Sequence, residues 1–172
     1  VEDIDSALVL KEKLLSAGID EIVAHGVEGF SLRRVAAACG ASCAAPYKHF
    51  KNKDEFVNEI ISYVEDKWDR LQSQICSTID DPKDRISELA VANVKFKVAN
   101  PLYGMGNSPF APNISKEIKN FCTSKSYTDT EEIIFAISAI ICGTAVLIQS
   151  NELENSEKTF FLLKRRIIKE LK

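Results

Sequence analysis

Apolar side chains recur along this chain at intervals of three and four residues, the spacing of helices that bury one face. The first such helix covers about residues 6–25, turns Leu10, Leu14, Ala17 and Val23 inward and stops at Gly26, with His25 in its last turn. Leu32, Val35, Ala36 and Cys39 form the stripe of a short second helix that Ser31 can cap and Gly40 ends. Ser42 then stands ready to cap a third. Two short helices joined by a Gly-containing turn have the shape of a helix-turn-helix.

Asn52 and Glu55 form a capping box for a long helix reaching about residue 77, whose inward positions are Phe56, Ile60, Tyr63 or Val64, Trp68, Leu71 and Ile75. Asp80-Asp81-Pro82 opens a helix over about residues 83–99. A Pro- and Gly-rich stretch, 100–112, reads as a loop or broken helix, and a further helix fits about residues 115–124. Thr128 with Glu131 or Glu132 opens an apolar helix over about residues 129–149. Apolar side chains wrap most of its circumference, and its uninterrupted stretch is short for a membrane span, so the pattern predicts a wholly buried helix with a partner covering one face in a chain this small. The last helix, about residues 153–171, lines up Phe160, Leu163, Ile167 and Leu171. The fold class is all-α, with a three-helix head (1–52) joined by the long helix to a helical regulatory and dimerisation domain (53–172).

Charge changes the picture at the helix-turn-helix. Arg33, Arg34, Lys48, Lys51 and Lys53 give residues 31–53 five cations and no acid, in a chain of net charge -3. Arg33, Arg34 and Lys53 sit in first turns, where a cation opposes the helix dipole by roughly 0.3 to 1 kcal/mol. An anionic partner removes that conflict, and basic side chains beside helix N-termini suit phosphate. The residues point to double-stranded DNA.

From Lys11 to about Val57 the chain resembles the DNA-binding domain of the tetracycline-repressor (TetR/AcrR) family of bacterial transcription regulators. The match runs through Leu14-Leu15, Ala17, Gly26, Ser31-Leu32-Arg33-Arg34-Val35-Ala36, Gly40-Ala41-Ser42 and Tyr47-Lys48-His49-Phe50 followed by Lys53. The resemblance implies that Ser42, Cys43, Ala44 and Ala45, with Tyr47 and Lys48 beyond them, face the major groove. It also implies that Ser31, Tyr47, His49 and Lys53 contact phosphates and that Phe50 is core. Three features depart from the family pattern. Pro46 falls inside the recognition helix, which predicts a short or irregular one. Gly18 stands where the family usually has Ala, at a helix-propensity cost of up to about 1 kcal/mol. The base-facing positions are small and hold no Arg, Asn or Gln, which leaves thymine methyls, Tyr47, Lys48 or DNA shape to supply preference.

The composition, 45% hydrophobic and 27% charged, is that of a soluble globular protein. Five scattered cysteines, an odd number, argue against a disulfide framework and for a reducing, cytoplasmic setting. Cys39 and Cys43 lack companions at zinc-ligand spacing, so no metal and no cofactor is expected. The last two helices predict a homodimer built as a four-helix bundle through Ile137, Ile141, Ile148, Phe160, Leu163, Ile167 and Leu171. A two-fold dimer would set two recognition elements in successive major grooves of a palindromic operator. Trp68, Phe96, Tyr103, Met105, Phe110, Phe121 and Phe135 are candidates to line a pocket for an apolar small-molecule effector. The resemblance implies a repressor that this ligand releases by shifting the long helix. With two histidines, no Gly-rich phosphate loop and no nucleophile-base pairing, no catalytic site is proposed. The competing reading is a helical dimeric interaction or small-molecule-binding module that has lost DNA binding.

Overall fold

A computed structural model describes residues 2–100, 102–103 and 112–172, and all the regular structure among them is helical. The chain divides into two compact units, Val1–Asp66 and Lys67–Lys172.

The first unit holds α1 (Glu2–Gly29), α2 (Leu32–Ala38), a single 3-10 turn (Pro46–Lys48) and the first part of α3 (Lys53–Thr78). Gly26 breaks the helical path of α1 with φ 69° and ψ 169°. A Cβ there would meet nothing, so glycine is required for the backbone conformation and not for space. The inward face of α1 is Leu14, Leu15 and Ile22. Val23, expected inward, is exposed, because one residue along a helix is 100° around it and Ile22 takes the core position. Ser31 caps α2 by accepting from the Arg34 N–H. Gly40, at φ 65°, ends it in a Schellman motif: Ala41 N–H donates to Ala36 O at 2.9 Å and Gly40 N–H to Ala37 O at 3.0 Å.

Phe30, Leu32, Val35, Phe50, Phe56 and Ile60 complete this core. Phe50 and Phe56 meet edge-on, their centroids 4.4 Å apart, and each fully buried ring removes enough apolar surface to stabilise by about 1.5–3 kcal/mol. Gly18 lies against the Phe56 ring and Ile60. A Cβ on it would stand 2.5 Å from Phe56 Cε1 and 2.6 Å from Ile60 Cδ1. This glycine, read from sequence as a weakness in α1, is what lets α3 approach. At the start of α3, Asn52 Oδ1 accepts from Glu55 N–H at 2.8 Å, while Glu55 Oε2 accepts from Lys51 N–H at 2.8 Å. The expected capping box forms, with its return bond one residue earlier than usual.

The second unit holds the rest of α3 with α4 (Pro82–Ala99), α5 (Pro112–Lys125), α6 (Thr130–Gln149) and α7 (Glu157–Glu170). Asp81 caps α4, its Oδ1 accepting from the N–H groups of Lys83 and Asp84 at 2.9 Å each, with Pro82 at the first position. Helix α4 is central. It packs on α5, α6 and α7 and buries Ile86, Ser87, Leu89, Ala90, Val91, Asn93 and Val94.

Within the single chain, helix α6 is buried along one face and exposed along the other. It sends Ile137, Ile141, Ala145 and Ile148 into the core and leaves Phe135, Ala139, Gly143 and Val146 exposed along the opposite face. By length and composition it could cross a membrane, yet its four core positions are packed against α4 and α7. Helix α7 begins at Glu157 and not near 153, because Asn151, at φ 60°, closes a Schellman motif on α6 and turns the chain away. All seven residues expected at a dimer interface, Ile137, Ile141, Ile148, Phe160, Leu163, Ile167 and Leu171, lie in this intramolecular core, each at most 6% exposed. The stripe was correctly identified as apolar, but α4 of the same chain covers it. Ion pairs tie the outer helices to α4: Arg85 to Glu117 at 2.7 Å, Lys95 to Glu157 at 2.9 Å, and Lys164 to Glu88.

Candidate nucleic-acid interface

Pro46 decides the local form of the recognition segment. It has no N–H to give to Ser42 O, and the chain answers with a succession of tighter bonds: Ala45 N–H to Ser42 O at 2.9 Å, Lys48 N–H to Ala45 O at 3.2 Å, and His49 N–H to Pro46 O at 3.0 Å. No α-helix forms between α2 and α3; the segment is one 3-10 turn preceded by a bend.

Ser42, Cys43, Ala44, Tyr47 and Lys48 are exposed on this segment, Tyr47 by 59%. Ala45, grouped with them by sequence, is buried at 7% and belongs to the core. Pro46 is buried beside it, so the tight turn points one edge inward and the other out. His49 is half-buried with its ring 6.1 Å from that of Phe50.

The cations separate into two kinds. Arg33, Lys48 and Lys51 are exposed. Arg34 is engaged within the chain: its Nε donates to Glu21 Oε1 at 2.8 Å, and its guanidinium also reaches Gly29 O. Glu21 accepts from Ser31 N–H as well, at 3.2 Å, so one carboxylate ties α1 to both the cap and the first turn of α2. The Arg34 hydrogen bond holds the Glu21 carboxyl below its ordinary value. Lys53 Nζ lies 3.4 Å from Glu28 O and 6.0 Å from the centre of the Phe30 ring, which offsets its conflict with the α3 dipole. The engagement of Arg34 had one signal in the sequence, an acid on a helix that must pack against α2. Nothing in the spacing of Glu21 and Arg34 distinguishes it from other surface acids.

Cys39 donates its thiol to Lys13 O at 3.4 Å, and burial pushes that thiol up from its ordinary range. Cys43 is exposed. Among the described residues no group of three or more His, Cys, Asp or Glu could hold a metal ion.

In the second unit, the residues expected around an effector divide. Trp68, Phe96 and Tyr103 come together, with ring centroids 5.1 to 5.7 Å apart. Phe121 instead packs on Tyr127 in the core, and Phe135 points outward at 76% exposure. Met105 and Phe110 lie outside the described residues. Sequence reasoning did not single out Gln72 and Asn93, which are buried in this unit, Gln72 one helical turn beyond Trp68 and Asn93 one turn before Phe96. Their signal was weak, a polar residue where a helical stripe continues. Leu71 had been given that place on α3, and Gln72 holds it.

The sequence pattern of the family described as "Bacterial regulatory proteins, tetR family" matches residues 14–60. No curated protein sequence matches. Among solved structures, the chain is similar to the transcriptional regulator FadR from Bacillus subtilis in complex with stearoyl-CoA, with TM-score 0.69, 13% identity and coverage of 93% of this chain and 96% of that one. It is also similar to a bacterial regulatory protein of the tetR family from Rhodococcus RHA1, with TM-score 0.63, 15% identity and coverage of 94% and 95%. A TetR variant from Acinetobacter baumannii AYE in complex with minocycline gives TM-score 0.56, 15% identity and coverage of 92% of each chain. At these identities the likeness shows the shared fold, over nearly the whole chain.

Proposed function

We propose, for a chain whose residues 14–60 match the family model of bacterial regulatory proteins of the tetR family, a DNA-binding transcriptional regulator of that family that acts as a cytoplasmic homodimer, a repressor of a palindromic operator that a small molecule releases. The observation that carries the reading is the family match over a segment whose Ser42, Cys43, Ala44, Tyr47 and Lys48 are exposed together, flanked by exposed Arg33 and Lys51. Residues 1–52 serve as the DNA-binding part and 53–172 as the regulatory and dimerisation part. Ser31, His49 and Lys53 add phosphate contacts, while Arg34 positions Ser31 through Glu21.

Dimerisation uses the exposed face of α6 and α7, not the residues buried in the core. Phe135, Ala139, Gly143 and Val146 on α6, with Phe161 and Leu162 on α7, are apolar or small and exposed in the single chain. An apolar face of this kind favours a two-fold partner. Effector action runs through α3, which places Phe56 and Ile60 in the core of the first unit and Trp68 in the aromatic group of the second. A ligand that favours one separation of the two heads by 1–3 kcal/mol would supply a typical coupling.

The test is mobility shift of the full chain on the DNA immediately upstream of its own coding region, across a salt series, with light scattering on the same sample. Arg33, Lys48 and Lys51 from two subunits give about six phosphate contacts and a log-log salt slope of about -5. Tyr47→Phe is expected to weaken binding at an unchanged thermal midpoint, since its hydroxyl lies on an exposed side chain. The reduction of the recognition helix to one 3-10 turn favours a second reading, a dimeric interaction or small-molecule-binding module without DNA affinity. A folded dimer that binds no DNA even at low salt would establish that reading instead.

A further inference from the structure

Among the described residues of the second unit, three buried polar atoms have no hydrogen-bond partner: Trp68 Nε1, Gln72 Oε1 and Asn93 Oδ1. Their residues are 2%, 2% and 0% exposed. In both amides the nitrogen is engaged. Gln72 Nε2 donates to Asp69 Oδ1 at 2.6 Å, and Asn93 Nδ2 lies 3.5 Å from the Tyr103 hydroxyl. A carboxylate only accepts, so Asp69 sets the Gln72 amide with its oxygen as the unpaired acceptor. An unpaired buried polar atom opposes folding, and an apolar side chain of the same shape would avoid that cost. Two of them border one aromatic group, the Trp68 ring standing 5.4 Å from Phe96 and 5.7 Å from Tyr103 and the hydroxyl of Tyr103 reaching Asn93, and Gln72 follows Trp68 by one turn on the same face of α3.

We propose that this wall binds a small amphipathic molecule carrying a neutral hydroxyl on an apolar, ring-bearing body. A hydroxyl meets both kinds of atom: its proton goes to one of Asn93 Oδ1 and Gln72 Oε1, and its oxygen accepts from Trp68 Nε1, leaving a single amide oxygen unpaired. A protonated amine also leaves one atom unpaired, the indole, and brings a full charge into a buried site, which costs far more than a neutral group does. A carboxylate accepts from the indole and faces two carbonyl oxygens that repel it. The aromatic rings of Phe96 and Tyr103 take the apolar body. This rests on the effector reading above and narrows it, replacing a purely apolar ligand with one whose hydroxyl is read.

Trp68 is the chain's one tryptophan, so its emission reports on this site alone. Three probes of matched skeleton, 4-phenylbutanol, 4-phenylbutylamine and 4-phenylbutyrate, are titrated into the full-length protein. The alcohol is expected to change Trp68 emission saturably and to bind at least about tenfold more tightly than the carboxylate. Asn93→Leu is expected to erase that preference and raise the thermal midpoint, because it removes an unpaired buried amide. Gln72→Met is read in the same way if Asn93→Leu fails to fold. Equal or tighter binding of the carboxylate overturns the proposal, as does the absence of a saturable change with any probe up to about 10 mM. A lowered midpoint with the alcohol preference intact assigns the amides to structure and also overturns it. A protein that binds operator DNA and ignores the probes would defeat this proposal alone. One that binds the alcohol and no DNA would defeat only the regulator reading.

Discussion

Glycine 18 shows how one side chain's absence can decide packing. Propensity alone predicts that Gly18→Ala stabilises α1 by about 1 kcal/mol. The added methyl would overlap Phe56 and Ile60, both fully buried, and overpacking of this kind costs about 1–3 kcal/mol. The expected net result is a loss of about 1 kcal/mol in denaturant unfolding; a gain would show that the two side chains can move aside. Glu21 makes a second prediction, in pH. Its carboxyl titrates below the ordinary 4.5 because Arg34 hydrogen-bonds it. The stability it contributes is therefore present above about pH 4.5 and lost as pH falls through its folded-state value. Glu21→Gln is expected to lower the thermal midpoint at neutral pH, with the gap to the parent chain closing on acidification. A gap independent of pH would remove the charge from the explanation.

Among the elements, the recognition segment and, within the single chain, α6 depart furthest from their patterns, for different reasons. Pro46 acts locally: it lacks the donor that an α-helix capped at Ser42 needs, and a 3-10 turn replaces the helix. Pro46→Ala restores that donor, so helical circular dichroism is expected to rise by about one turn's worth of residues and DNA affinity to rise with it. Unchanged helicity would place the cause in the packing of Ala45 and position 46 against the core. Helix α6 departs for a tertiary reason. Its composition marks it as the most buried element, yet α4, whose sequence mixes Lys, Asp, Arg, Glu and Asn with apolar residues, is the one enclosed by α5, α6 and α7. Polar residues on α4 are accommodated at its ends and through partners such as Ser87, whose hydroxyl donates to Asp84 O at 2.9 Å.

For the protein as a whole, the proposed function links oligomer to DNA affinity, since on that reading two heads engage two half-sites. Gly143 offers a substitution that separates assembly from folding. A Cβ there meets nothing within the chain, so Gly143→Leu is expected to preserve the fold, with a propensity gain near 1 kcal/mol. It fills the middle of the exposed α6 face beside Ala139. Light scattering is expected to show monomer, and the mobility shift on a palindrome to weaken by about tenfold or more. A Gly143→Leu dimer of unchanged strength would move the interface elsewhere.

The helices and the caps at Ser31, Asn52 and Asp81 were legible because they rest on local chemistry, whereas Ser42 caps no α-helix and α6 starts after Asp129 without the side-chain cap expected of Thr128. Ser31, Gly40, Asn52, Asp81 and Pro82 act within four residues of themselves, and a helical stripe is visible in the spacing of Leu32, Val35 and Ala36. The irregular recognition segment was legible for the same reason, through Pro46. What covers a stripe was not. Ile137 and Leu163 look alike whether a partner chain or α4 lies against them, because periodicity records that a face is buried and not by what. The same holds for the cations: Arg34 and Arg33 are adjacent, identical and both exposed, and only the arrival of Glu21 from α1 makes one of them a tie between helices. The closeness of α1 to α3 at Gly18, and the gathering of Trp68, Gln72 and Asn93, belong to tertiary structure too. Both depend on which helices meet and at what distance, which the short-range chemistry of the chain does not encode residue by residue.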